Sequence, residues 1–186
     1  MKFENEELRQ AVKNEWVADR ISAEAFYGHI SGWDVSEVTD MSKLFKDVKD
    51  FTDDISEWDV LNVSKMRGMF SGASSFNKDY VKSWLCRGRG KKLNNEELKQ
   101  AVLDWREDSI SAEVFHGHIS DWDVSEVTDM SELFKDAKSF EEDMSGWDVS
   151  NVGNMQHMFR GASTFDKYHV RYWTCRGRNI QFTNEE

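Results

Sequence analysis

His29 and His118 precede the same Ile-Ser pair, and Cys86 and Cys175 open the same Cys-Arg-Gly-Arg string. These are the residues with the most evident reactivity. A thiol activated by an imidazole is a familiar covalent catalyst, so Cys86 with His29 is conceivable as a dyad. The chemistry asks for more: a third group to orient the imidazole and a Gly-rich turn whose N–H groups hold an oxyanion. Neither is evident in the sequence, and a hydrogen-bonded turn histidine is the simpler reading. One His and one Cys per copy also fall short of a tetrahedral zinc set. Asp53-Asp54, Glu142-Asp143 and Asp47 with Asp50 offer oxygen ligands. Calcium takes about six to eight of these, gathered by a D-x-D-x-D-G loop that is missing. Solvated surface charge is the default for such clusters. The expectation is no catalytic site, no metal and no cofactor.

The cysteines make better sense as contact residues. They occupy the same place in successive copies, too distant to bridge each other when a disulfide needs Cα atoms within about 7 Å. They are either buried free thiols or bonded to another chain. The neighbouring arginines favour the thiolate and could grip an acidic face of the next copy. Cys86, Arg87, Arg89, Cys175, Arg176 and Arg178 thus form a candidate unit–unit or inter-chain contact. The pairs Trp33-Asp34, Trp58-Asp59, Trp122-Asp123 and Trp147-Asp148 could stack on and hydrogen-bond sugars. They recur in every repeat as core positions do, which favours Trp as core filler and Asp as an acceptor of turn N–H groups.

What positions these residues is a repeat on two scales. "NEELRQAV" from Asn5 returns as "NEELKQAV" from Asn95; after a one-residue deletion every later match holds at a spacing of 89. Roughly two-thirds of aligned positions from Trp16 to Gly90 are identical. The last residues, "QFTNEE", resemble "KFENEE" near the start, as if a third copy began there. The expected organisation is unit 1 at 1–90, unit 2 at 91–179 and the start of a third at 180–186, within a longer array. Any signal or anchor is expected outside this stretch.

A period of 25 runs inside each unit: Phe26, Phe51 and Phe76, then Phe115, Phe140 and Phe165. Trp33 with Trp58, Phe45 with Phe70, Trp122 with Trp147 and Phe134 with Phe159 keep the same step. With Ile30 and the closing Trp84 and Trp173, these residues are the expected repeat core. Ile30, Trp33 and Val35 suit a brief buried strand, and Met41, Leu44 and Phe45 share one face of a helical turn capped by Thr39. Each unit opens with a helix, capped by Asn5 in the first copy and striped by Leu8, Val12 and Trp16. The predicted fold is therefore α/β: short leucine-rich-repeat-like solenoid modules of 25-residue strand–helix repeats in tandem, each preceded by a capping helix.

Composition agrees with folding but not with nucleic acid. Aromatics reach 13%, too many for a disordered chain. Net charge is −11 with no basic track for phosphates. No apolar run approaches the ~18 residues of a membrane span. Pro is absent, so Gly, Asn, Asp and Ser must set the turns.

The strings "ISGWDVSEVTDMSKLF", "ISEWDVLNVSKMRGMF", "ISDWDVSEVTDMSELF" and "MSGWDVSNVGNMQHMF" resemble the bacterial-surface-protein repeat of about 26 residues. That repeat is found in BspA-like leucine-rich-repeat surface proteins and mycoplasma-type lipoproteins. The resemblance implies secreted or cell-surface location, adhesion and protein interaction, and no catalytic site. It covers about half the chain, leaving out the opening helices and the Cys-Arg-Gly-Arg segments. The expected function is a non-enzymatic structural protein whose units stack into a rod or filament at a cell surface or in matrix. Its partners would be copies of itself, head-to-tail or lateral, or another surface protein or glycan. The alternative is a solenoid binding module recognising a protein or glycan.

Overall fold

The computed structural model describes residues 1–84 and 90–174 in full and the backbone of 175, 178 and 179. It divides into two compact units, Met1–Arg89 with Glu107–Phe115, and Gly90–Arg106 with His116–Glu186. Residues 107–115 belong to the first unit, although the period of 89 assigns them to the second copy. The expected third-unit start, 180–186, lies outside the described residues.

Helix α1, Asn5–Gln10, starts from a reciprocal cap between Glu4 and Glu7. It runs directly into a π-wound turn, Ala11–Trp16. Its copy, α3, is α-helical throughout Asn95–Glu107. The sequence explains the difference, because Val12 and Trp16 are four apart where Val102 and Trp105 are three apart. A π turn takes up one extra residue. Both tryptophans therefore reach the same partner, Trp16 meeting Trp33 edge-on at 5.5 Å and Trp105 meeting Trp122 at 5.8 Å. Asn5 does not cap α1 as expected. Its Oδ1 accepts the backbone N–H groups of Thr39 and Asp40 at 2.8 and 3.0 Å, and Asn95 does the same for Thr128 and Asp129. Two shorter helices follow, α2 at Arg20–Tyr27 and α4 at Ser109–His116.

The strand–helix solenoid expected for the repeats is not what forms. Ile30–Gly32 and Ile119–Asp121 are single 3-10 turns, and the span from Met41 to Val48 is a run of tight turns. Strand structure among the described residues is confined to a two-residue hairpin, β1 Thr174–Cys175 with β2 Arg178–Asn179, and four isolated bridges. The overturning feature is backbone handedness. Lys43 and Asp47 hold φ of 58° and 63°, and Glu132 and Asp136 hold 57°. Left-handed residues at every fourth position forbid an α-helix and break up an extended strand.

Every N–H in this run is nonetheless satisfied. Met41, Lys43, Phe45 and Asp47 donate to the carbonyls of Lys65, Arg67, Met69 and Ser71 in the second repeat, at 2.7–3.0 Å. Leu44, Lys46 and Val48 donate three residues back within their own turns, and Ser42 donates to the Asp40 carboxylate. Alternation between local and lateral bonds is what the left-handed residues make possible, and it meets the requirement that buried backbone groups be paired. The second unit repeats the arrangement from Met130 to Ala137. Gly72 and Gly161, both at φ 77°, complete the turns where a Cβ would lie within 2.5 Å of Oδ1 of Asp47 or Asp136. Only glycine fits there.

The core is a set of aromatic columns at the repeat spacing. Phe45 stacks on Phe70 at 5.8 Å and Phe134 on Phe159 at 5.6 Å, with interplanar angles of 5° and 4°. Trp122, Trp147 and Trp173 form a continuous column at 6.3 and 6.0 Å. Burying each ring contributes about 1.5–3 kcal/mol. The indole N–H groups of Trp58, Trp147 and Trp173 donate to carbonyls of the preceding repeat, those of Ile30, Ile119 and Met144, at 2.8–3.1 Å, whereas that of Trp122 donates to Gly117.

Candidate functional site

Cys86, Arg87, Arg89 and Arg176 lie outside the described residues, as do the side chains of Cys175 and Arg178. His29 has both ring nitrogens engaged. Nδ1 sits 2.8 Å from the Ser31 hydroxyl, and Nε2 sits 3.4 Å from Arg20 and 3.8 Å from Asp53. Asp53, expected as surface charge, is buried in the first unit. It accepts the Trp16 indole N–H at 3.0 Å and the Arg20 guanidinium, which also lies over the Trp16 ring. This cluster ties the π turn to the repeats. In the second copy of the sequence Ser109 and Glu142 replace Arg20 and Asp53, and His118 Nε2 lies 3.8 Å from Glu142.

In each Trp-Asp pair the tryptophan is buried and the aspartate anchors a turn. Asp34 accepts the N–H and hydroxyl of Ser36 at 3.1 and 2.7 Å, and Asp123 those of Ser125 at 3.1 and 2.6 Å. Bonds from the serine hydroxyl, then from its N–H, hold both carboxyls below the ordinary aspartate value. Asp54 and Asp143 are lowered likewise, first by the backbone N–H of Ser56 and Ser145. Carboxylates committed to turns leave little for a sugar or a cation. Among the described residues, no three His, Cys, Asp or Glu side chains gather as a metal requires.

Of the expected core, Ile30, Trp33, Phe45, Phe51, Trp58, Phe70, Phe76 and Trp84 are buried in the first unit. Trp122, Phe134, Phe140, Trp147, Phe159, Phe165 and Trp173 are buried in the second. Phe26 is a correction: it is 75% exposed on α2. Phe115, its copy on α4, is half-buried against the core of the first unit. Position 26 shares the 25-residue step with Phe51 but stands on a helix, where the repeat geometry no longer sets its direction.

The residues that do meet are at the end of the first unit's repeats. Phe70 corresponds to Phe45, but no further repeat supplies a carbonyl for its N–H. Asp108 takes that place: its Oδ2 accepts the Phe70 N–H at 2.7 Å, and Ser111 Oγ lies 3.3 Å from the same nitrogen. Asp108 and Ser111 are buried and bonded to each other as the N-cap of α4. Arg67 pairs with Glu107 at 2.7 Å beside them. Val114 joins the core, flanked by Ile110 and Phe115. The arrangement terminates a hydrogen-bond ladder within the first unit and packs Val114 of α4 into that unit's core. Asp-x-x-Ser appears at both Asp19–Ser22 and Asp108–Ser111, so the cap was visible in the sequence while its second role was not.

No described helix is long and apolar enough to cross a membrane. The sequence profile of the family described as "Mycoplasma protein of unknown function, DUF285" matches residues 21–105 and again 91–183. No curated protein and no solved structure matches the chain significantly.

Proposed function

Because this chain belongs to the DUF285 family, matched twice in tandem along it, we propose that it is a non-enzymatic repeat protein whose units join end to end into a rod or filament. Its setting is the cell surface or extracellular matrix and its role is structural or adhesive. The observation that carries the reading is the termination of the first unit's ladder. The N–H of Phe70 is met by Asp108 and Ser111, residues that the period assigns to the following copy. A repeat end that takes its last acceptor from the next stretch of sequence suits serial connection. The likeness of the W-D-V-S strings to BspA-like surface repeats supports the location. Acidity supports the exclusion of nucleic acid, because a net charge of −11 repels phosphate.

Small-angle scattering and negative-stain microscopy across a concentration series test the proposal. Elongated particles that lengthen with concentration are expected. A compact monomer at every concentration that binds a glycan or a surface protein through one patch would replace it with the binding-module reading. Turnover in a broad hydrolase screen that disappears in Cys86→Ala would restore an enzyme.

A further inference from the structure

The two copies of the short helix carry the same face in different surroundings. On α4, Asp108, Ser111 and Val114 are buried, and Ile110 and Phe115 pack against the first unit's core. On α2, the matching Asp19 and Ser22 are exposed, while Ile21 and Phe26 are 84% and 75% exposed. The cap itself is already formed: Asp19 accepts the Ser22 N–H at 3.2 Å and its hydroxyl at 2.6 Å, as Asp108 does with Ser111. Helix α2 therefore keeps the cap, Ile and Phe of α4 with its outer face uncovered, Ala25 standing where α4 has Val114. Exposed Ile and Phe on one short helix mark an interaction surface when a polar rim adjoins them.

What such a helix adjoins can be read from α4. Its Ile110, Glu113 and Val114 line one cleft with Lys78, Val81 and Lys82, and the two lysines stay exposed. In the second unit these positions are Lys167, Val170 and Arg171, and Glu24 is the α2 counterpart of Glu113, so the charge pairing is kept. The flanking residues become more adhesive. Asp79 and Ser83 are replaced by Tyr168 and Tyr172, both largely exposed, with the Arg171 guanidinium 3.7 and 4.4 Å from their ring centres. Tyr and Arg are the residue types that dominate binding energy at protein interfaces.

We propose that the outer face of α2 docks on the Lys167–Tyr172 end of a second copy of this chain, much as α4 adjoins Lys78–Lys82 across a shared cleft. Ile21 and Phe26 pack on Tyr168 and Tyr172, and Glu24 faces Arg171. The contact joins unlike surfaces, so each added copy presents a fresh site. The inference rests on the end-to-end reading above and names its contact.

The full-length chain with photoreactive benzoylphenylalanine at position 26 is irradiated, and its cross-links are mapped by mass spectrometry. Cross-links between chains to residues 167–172 are expected. In parallel, sedimentation velocity compares the parent with an Ile21→Ser/Phe26→Ser variant and with Tyr172→Ser. Each variant should weaken self-association about tenfold or more, a loss of ~1.4 kcal/mol. Circular dichroism should not change, because these side chains lie in solvent. Cross-links elsewhere, or variants that associate like the parent, overturn the docking contact and leave end-to-end assembly to another surface. A parent chain that stays monomeric at every concentration overturns both.

Discussion

Replacing Asp108 by Ala, with Asp19→Ala as its internal reference, separates the two jobs of the Asp-x-x-Ser motif. Both substitutions remove a helix cap in the same local geometry. Only Asp108 also accepts a buried backbone N–H, at 2.7 Å from Phe70. Deleting that carboxylate leaves the buried Phe70 N–H only its longer, 3.3 Å bond to Ser111 Oγ. An N-cap costs about 0.5–2 kcal/mol to lose, and an abandoned buried donor adds about 1–3 kcal/mol. Asp108→Ala should therefore destabilise the first unit by roughly 2–4 kcal/mol. Asp19→Ala, a change in solvent, should have much the smaller effect. Urea unfolding followed by tryptophan emission measures the difference, and hydrogen exchange at the Phe70 amide reports the bond directly. Equal effects from the two substitutions, with unchanged protection at Phe70, would refute the view that Asp108 stands in for a missing repeat.

Gly72→Ala should cost about 1–2 kcal/mol from handedness alone, and more from the clash with Asp47, lowering the thermal midpoint; an unchanged midpoint would mean that the turn had relaxed. Asp53→Ala strands the buried Trp16 indole N–H and should destabilise the first unit by about 1–3 kcal/mol, measured by urea unfolding, and Arg20→Ala, which leaves the buried Asp53 carboxylate without its cation, should destabilise it as well. Acid should weaken both units through their turns. Asp34, Asp54, Asp123 and Asp143 have folded values below their unfolded ones, near 3.9, so their contribution is complete above that pH and is lost as pH falls through the folded values. The urea midpoint should decline below about pH 4, less steeply in Asp34→Asn/Asp123→Asn, and equal slopes would count against the turns as its source.

The aromatic columns were legible because burial follows the 25-residue period directly: Phe45, Phe70, Trp122 and Trp147 occupy the same place in each layer. The backbone that carries them was not. Met41, Leu44 and Phe45 have helical spacing, and nothing in "DMSKLFKD" announces that Lys43 and Asp47 turn left-handed. Ordinary residues adopt that conformation here because lateral bonds to the next repeat repay a cost of about 1–2 kcal/mol each, a tertiary effect that local sequence does not encode. Asn5 misled in the same way, as good caps also serve distant N–H groups. Phe26 and Phe115 share a sequence position and differ in burial, since burial there depends on what lies beyond the helix. Asp108 was not singled out from the sequence, since its part as a ladder terminus depends in the same way on what lies across from it.

The π turn at Ala11–Trp16 has a bearing on how such copies diverge. One residue more or fewer in a helix ordinarily swings everything downstream by about 100°, which would throw Trp16 off its seat. Here the surplus is absorbed as slack in the winding. Gene copies of unequal length can thus drift in this stretch while remaining spatially interchangeable, and selection on the array need only preserve where the tryptophan lands.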